Sequence, residues 1–454
     1  MKNRNLLKQF FKYVSLNVLG MLGLSCYILA DTFFISKGLG ALGLTALNLA
    51  LPIFSFIQGV SLMLGIGGGI RYAVAKASGN QRAANTTFST IVIVSLLFSL
   101  IFVLLGAFAS RPLTTLLKAD SEVFEMTHQY LQIILLFAPA FIISHVFTSF
   151  VRNDGNPRLA MFATLFGSLF NIVMDYVLIF PCGMGILGAV LATGIAPVTG
   201  IIICGFHWAL KKGPLRLAKP KFELKGTLMT LSLGLPSLVT EFAGGIVMIV
   251  FNSVILGIAG NIGVSAYSIV ANIAFVVLSM YSGVAQGVQP LLSEAHGKKD
   301  LCAKDTFLKY SLLTAGVAST VIYIIVATLA PQITAVFNSE GNAVLAEIAE
   351  FGLIIYFIGS IFASINALFS TYFASIEKPL PSQAITLLKG LVLIIPFIYL
   401  FSHFLGMTGV WLAYVITEAV VLVIAVTIYA IFRRRTKSAM LTEAQPDEAE
   451  QISF

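Results

Sequence analysis

The chain is expected to be an all-α integral membrane protein of twelve transmembrane helices in two pseudo-symmetric six-helix lobes. Three observations predict this. Of 454 residues, 58% are hydrophobic and only 11% are charged, too few to clothe a soluble protein of this size. Apolar windows of 18 or more residues recur about a dozen times, and the mean hydropathy is +0.94. The second half of the chain also repeats the first.

The expected spans are 13–35, 47–70, 86–108, 130–151, 159–181, 187–209, 228–257, 265–291, 308–330, 350–374, 382–404 and 408–432. The N-terminal MKNRNLLKQFFKYV and the apolar run behind it resemble a signal peptide. No small-x-small site follows Ala30, so this run is read as a retained first span. Twelve spans put both termini on one side of the membrane.

Basic residues select that side. Lys2, Arg4, Lys8 and Lys12 precede span 1, and Arg433, Arg434, Arg435 and Lys437 follow span 12. The even-numbered loops hold Arg71, Lys76, Arg82, Arg152, Arg158, Lys211, Lys212, Arg216, Lys219, Lys221, Lys225, Lys298, Lys299, Lys304, Lys309 and Lys378. That is 24 of the 28 Lys and Arg on one face, which predicts a multi-pass membrane protein with cytoplasmic termini. The net charge of +8 is therefore an orientation signal, and no nucleic-acid partner is expected.

The longest basic loop falls mid-chain. It divides the sequence into an N-lobe (1–212), a linker (213–226), a C-lobe (227–436) and a polar tail (437–454) expected to be disordered. The repeat supports the division. ISKGLGALGLTALNLALPI (35–53) aligns with ILGIAGNIGVSAYSIVANI (255–273). Gly65, Gly69, Ala77 and Gly79 match Gly283, Gly287, Ala295 and Gly297. Pro157, Thr164 and Leu165 match Pro379, Thr386 and Leu387, and Gly188 and Ala192 match Gly409 and Ala413. Like-oriented halves imply an axis along the membrane normal, with a cleft between the lobes.

The polar residues inside the spans carry the functional reading. Asp31, Asn171, Asp175 and Thr193 all fall in the outer half of the membrane, at similar depth. Asn171 and Asp175 lie four residues apart on one helical face. Two carboxylates, an amide and a hydroxyl suit Na⁺, and the two acids could instead share a proton. Their second-half counterparts are Phe251, Leu393, Phe397 and Tyr414, so the architecture tolerates apolar residues there. The bland reading is that the two acids cap or pair with neighbouring helices.

Glu241, beside Pro236 and Gly244–Gly245, is a candidate for a cationic substrate or a second ion. Gln58, His145, Gln286 and Asn366 are candidate cleft-lining residues, although single polar residues in spans more often bond a neighbouring helix. Lys389 and Glu418 could pair across spans 11 and 12. Cys26, Cys182, Cys204 and Cys302 have no ligand spacing, and the five histidines are scattered. GIGGG at 65–69 lacks the strand and the Lys-Ser/Thr of a phosphate loop and suits close helix packing. No catalytic constellation and no cofactor are expected.

The residues that carry a family resemblance are CYILADTFFISKGLGALGLTALNLALP (26–52), RNDGNPRLA (152–160), Asn171 with Asp175, GLPS (234–237) and AHGKKD (295–300). From about residue 10 to 435 the chain resembles a bacterial multidrug and toxic compound extrusion (MATE) transporter. The resemblance implies alternating access between two lobes, and export of amphipathic organic cations in exchange for Na⁺ or H⁺. It implies a coupling role for Asp31, Asn171, Asp175 and Thr193, and matches Glu241 to a span 7 glutamate of another branch. The span 10 acid of that branch has no counterpart here. The partners expected are small organic cations and membrane lipid, and the functional unit a monomer. A lipid-linked sugar flippase of the same superfamily is the alternative. It would need several basic residues inside the spans, where this chain has only Lys389. A non-transporting receptor or scaffold would need a sizeable soluble domain, and no loop exceeds about 25 residues.

Overall fold

The computed structural model describes residues 2–338 and 341–443, and within them every regular element is helical. The helices are α1 Arg4–Gly40, α2 Leu42–Ala77, α3 Gln81–Leu116, the bent α4 (Phe124–Leu136 and Ala138–Asn153, 45° apart), α5 Pro157–Ile179 and α6 Gly185–Ala209. The second half holds α7 (224–259), α8 (261–297), α9 Leu301–Thr328, α10 Ala343–Ser375, α11 (379–405) and α12 (407–443). Each helix contains most or all of one expected span. Most run longer than the apolar windows, because helical backbone continues past the hydrocarbon into the interface. Helix α12 continues through Glu443, and the rest of the polar tail lies outside the described residues.

The repeat is written in the backbone. Gly40 and Gly260 both break helical φ/ψ, at φ 64° and 60°, which splits one long helix into an outward and an inward crossing in each half. This left-handed geometry disfavours a Cβ, so glycine stands there twice. Gly185 and Gly406, Gly79 and Lys299, and Gly155 and Glu377 are further positive-φ pairs, each 220 to 222 residues apart. The caps follow suit. Asn80 accepts from the Ala83 N–H at the start of α3, and Asp300 accepts from the Ala303 N–H at the start of α9. Proline opens both α5 and α11, where a missing N–H costs nothing.

The mid-chain linker is a strap laid over α3. Its Arg216, Ala218 and Lys221 N–H groups donate to Asn85, Ser89 and Thr90 side chains, one helical turn of acceptors for one stretch of extended backbone. Leu215 is fully buried beneath it.

The lobes touch at the basic face. Gly283 and Gly287 of α8 lie on the backbone of Val18 and Val14 of α1, where an added Cβ would come within 2.7 Å of each Cα. A Cβ on Gly234 of α7 would sit 1.9 Å from the Met63 carbonyl of α2, and one on Gly67 would sit 2.2 Å from the Thr230 carbonyl. Toward the opposite face Gly244, Gly245 and Gly257 of α7 meet nothing within 4 Å. The close backbone contacts that shut the cleft between the lobes are therefore gathered at the basic face. Phe56 and Phe242 meet edge-on across the cleft at mid-depth, 6.1 Å apart. At the shut end Phe10 and Val14 of α1 are buried with the C-lobe residues Val288, Leu292 and Phe307.

Candidate functional site

Helices α1, α5 and α6 bring the four predicted residues together inside the N-lobe. Asn171 and Asp175 are fully buried, Thr193 is 4% exposed and Asp31 7%. Hydrocarbon-facing helices bury such side chains only against one another. The Asp31 and Asp175 carboxyl groups lie within hydrogen-bonding reach of each other. Oδ1 of each has no protein partner, and neither makes an ion pair among the described residues.

Asn171 links the acids to α6. With its amide turned so that each end meets a matching group, Nδ2 donates to Asp175 Oδ2 at 3.0 Å and Oδ1 accepts from the Thr193 N–H at 3.3 Å. The Thr193 hydroxyl donates to the Ala189 carbonyl at 3.1 Å, which leaves its lone pairs to accept. The set is thus four hard oxygen donors with a formal charge of −2 and no basic side chain. Like charges about 4 Å apart repel by roughly 4 kcal/mol at an effective dielectric near 20. A proton shared between the acids, or a small cation seated on all four oxygens, relieves that repulsion. The donor set fits either guest.

Two tyrosines complete the site and were absent from the sequence reading. Tyr27 stands one turn before Asp31 on the same face of α1 and feels both carboxyl groups. The Tyr130 hydroxyl of α4 lies beside Thr193. The four-residue spacing of Tyr27 and Asp31 repeats that of Asn171 and Asp175 and was a usable signal. Nothing in sequence pointed to Tyr130, which arrives by the bend in α4.

The remaining candidates divide. A cavity of about 80 Å³ beside Thr193 is lined by Tyr27, Gln58, His145 and Ser168 among others, so Gln58 and His145 lie with the acidic cluster in the N-lobe. Gln58 Oε1 is buried there without a partner. Glu241 is half-buried on α7 and lies near enough to interact electrostatically with Tyr27 of the other lobe. Two candidates do not line the cleft. Gln286 is engaged at the closed basic end, and Asn366 is turned into the C-lobe. Asn366 Nδ2 donates to Glu418 Oε2 at 2.7 Å and to its carbonyl at 2.9 Å. Glu418 therefore pairs with Asn366 and not with Lys389, which sits instead in a π-helical turn, Leu388–Val392, of α11. In the second lobe aromatics occupy the ground that the acidic cluster holds in the first. Phe251 stacks on Tyr267 at 5.4 Å, and Tyr414 on Tyr356 at 4.1 Å.

A doubled bundle of twelve crossings, with two lobes that meet at the basic face and a buried acidic cluster in one lobe, defines a membrane carrier. The MatE family model matches residues 18–177 and 236–400, and the chain belongs to that family of transporters. The multidrug export protein MepA of Staphylococcus saprophyticus is 25% identical over 398 residues, 86% of each chain. MepA of Staphylococcus aureus is 24% identical over 396 residues, again 86% of each. Among solved structures, a MATE transporter in complex with MaL6 superposes with a TM-score of 0.89 at 24% identity, covering 96% of this chain and 97% of that one. An outward-facing multidrug resistance MATE family transporter gives 0.87 at 24% identity over 96% of each.

Proposed function

We propose that the protein exports amphipathic organic cations by antiport against Na⁺ or H⁺. The observation that carries this reading is the Asp31–Asp175 pair, two buried carboxyl groups with no basic partner. Asn171 and Thr193 complete the coupling site. Glu241, Gln58 and His145 are proposed to meet the cationic substrate, or a second ion, from the two sides of the cleft. The interior acids suit a cationic cargo and suit a pyrophosphate-linked one poorly. Both termini are proposed to lie in the cytoplasm, so the end at which the lobes are joined is the cytoplasmic one, and the arrangement is read as the outward-facing state.

In that state Na⁺ or H⁺ reaches the N-lobe from outside. Neutralising the acids removes the repulsion between α1 and α5 and lets the two helices settle closer, reshaping the adjoining cavity and loosening the drug. One-for-one exchange of a monovalent cationic drug for Na⁺ or H⁺ moves no net charge, so the ion's concentration gradient drives it. A tenfold gradient is worth about 1.4 kcal/mol and supports about a tenfold drug gradient. Each further ion entering per drug adds about 2.3 kcal/mol at 100 mV. The protein acts as a monomer and needs no cofactor beyond the coupling ion.

The test is ethidium efflux from proteoliposomes with Na⁺ and pH gradients imposed one at a time. Either gradient should drive the wild type. Asp31→Asn and Asp175→Asn, made separately, should each lower driven efflux at least tenfold while the protein still inserts. Wild-type efflux from both variants would remove the proposed coupling site.

A further inference from the structure

The polar side chains at the closed end of the cleft form a second, separate constellation. Arg152 and Asn153 end α4 in the N-lobe and are 5% and 7% exposed. Arg152 Nη1 donates to Asn17 Oδ1 of α1 at 2.7 Å and, across the lobe boundary, to Gln286 Oε1 of α8 at 3.1 Å. Asn153 and Gln289 of α8 exchange two amide hydrogen bonds, both 3.2 Å, and Gln289 is 2% exposed. On the rim Arg71 of α2 pairs with Glu377, between α10 and α11, at 2.5 Å.

Two features of this group differ from ordinary interface packing. Arg152 is a buried guanidinium with no carboxylate partner among the described residues, held by amide oxygens alone. Parting the lobes therefore separates no buried ion pair. Three of the four side chains also keep a bond within their own lobe, Gln286 being the exception because its second contact is to Met21 of α1. Arg152 retains Asn17, Asn153 Nδ2 also donates to the Ser149 carbonyl at 2.9 Å, and Gln289 Nε2 also donates to Ser293 Oγ at 3.1 Å. A buried donor stripped of every partner is costly, whereas one that keeps a partner and gains water loses little. Gln286, Gln289 and Ser293 share a face of α8 with Gly283 and Gly287, so the polar bonds run along the glycine seam.

We infer that Arg152–Gln286 and Asn153–Gln289 form a reversible latch that biases the carrier toward the state closed at the basic face. Arg152, Asn153 and Gln289 stay hydrogen-bonded within their own lobes when the lobes part, and Gln286 turns to water. The inference rests on the alternating-access reading, and its test reads conformation apart from transport. Spin labels go on Cys302 and on Arg82→Cys, at the basic ends of the two lobes, with Cys26, Cys182 and Cys204 replaced by Ser. Double electron–electron resonance then measures the separation of the lobes. With about three inter-lobe hydrogen bonds lost, Gln286→Leu with Gln289→Leu should raise the long-distance population at least tenfold. Asn153→Gln with Gln289→Asn exchanges the two amides and should restore the wild-type distribution. An unchanged distribution in the Leu double variant, with efflux intact, overturns the latch. One fixed distance in the wild type under every gradient, with no dye movement, overturns alternating access itself.

Discussion

Asp154 shows how much one buried charge can organise. Its carboxylate accepts from the Tyr72 hydroxyl at 2.7 Å, Lys76 Nζ at 2.5 Å, His207 Nε2 at 2.8 Å and the Leu215 N–H at 3.2 Å. Four donors from α2, α6 and the linker thus converge on one side chain in the loop after α4. Burial alone would raise its pKa, but the hydrogen bonds from His207, Lys76 and Tyr72 outweigh that and hold it below the usual carboxylate range. A depressed folded pKa means stability that is present above about pH 4, the unfolded value, and is lost as pH falls through the lower folded value. Asp154→Asn should cost roughly 3 kcal/mol, because Lys76 loses its counter-charge and the buried Tyr72 and His207 lose a charged hydrogen-bond acceptor. Thermal unfolding in detergent checks this, with a lowered midpoint at pH 7 that converges on the wild type as pH is lowered. The sequence displayed Asp154 within RNDGNPRLA but gave no sign of its partners, since Tyr72 and Leu215 lie 82 and 61 residues away. Asp31 and Asp175 were legible because charge in an apolar run stands out by itself. Gln286 and Asn366 were misassigned to the cleft, because an amide in a span looks the same whether it faces water, a guanidinium or a carboxylate.

At the scale of elements, the glycines divide into those that bend and those that let helices touch. Gly40 and Gly260 belong to the first group, and sequence self-similarity marked them. Gly67 and Gly234 belong to the second, and only the packing of α2 on α7 separates them from Gly245, which meets open space. Gly234→Ala forces a Cβ against the Met63 carbonyl, and backbone cannot step aside as a side chain can. Overpacking of this kind costs about 1–3 kcal/mol. Gly234→Ala should therefore cut dye efflux about tenfold, while Gly245→Ala leaves it unchanged. Equal efflux from the two variants would show that the seam does not govern closure. The bend in α4 and the π-helical turns in α3 and α11 were not legible, because nothing in a run of apolar residues shows where the hydrogen-bond register slips.

For the whole molecule, the proposed orientation rests on the asymmetry of basic residues. Cys182, between α5 and α6, and Cys302, at the start of α9, are exposed at opposite ends of the bundle. A membrane-impermeant maleimide should label Cys182 in intact cells and Cys302 only after permeabilisation. The reverse pattern would place the termini and the joined end of the lobes outside.

Hydropathy, basic-residue asymmetry and the internal repeat were enough to set twelve crossings, two lobes and a buried acidic site, because each is a property of residue type and spacing along one helix. At which face the lobes join, that Tyr130 lies beside the acidic cluster, and that Asn366 holds Glu418 were decided only in three dimensions. Those contacts depend on how separate helices cross and rotate, and in a membrane that is settled by close backbone packing and side-chain shape, since lipid and protein interior are equally apolar.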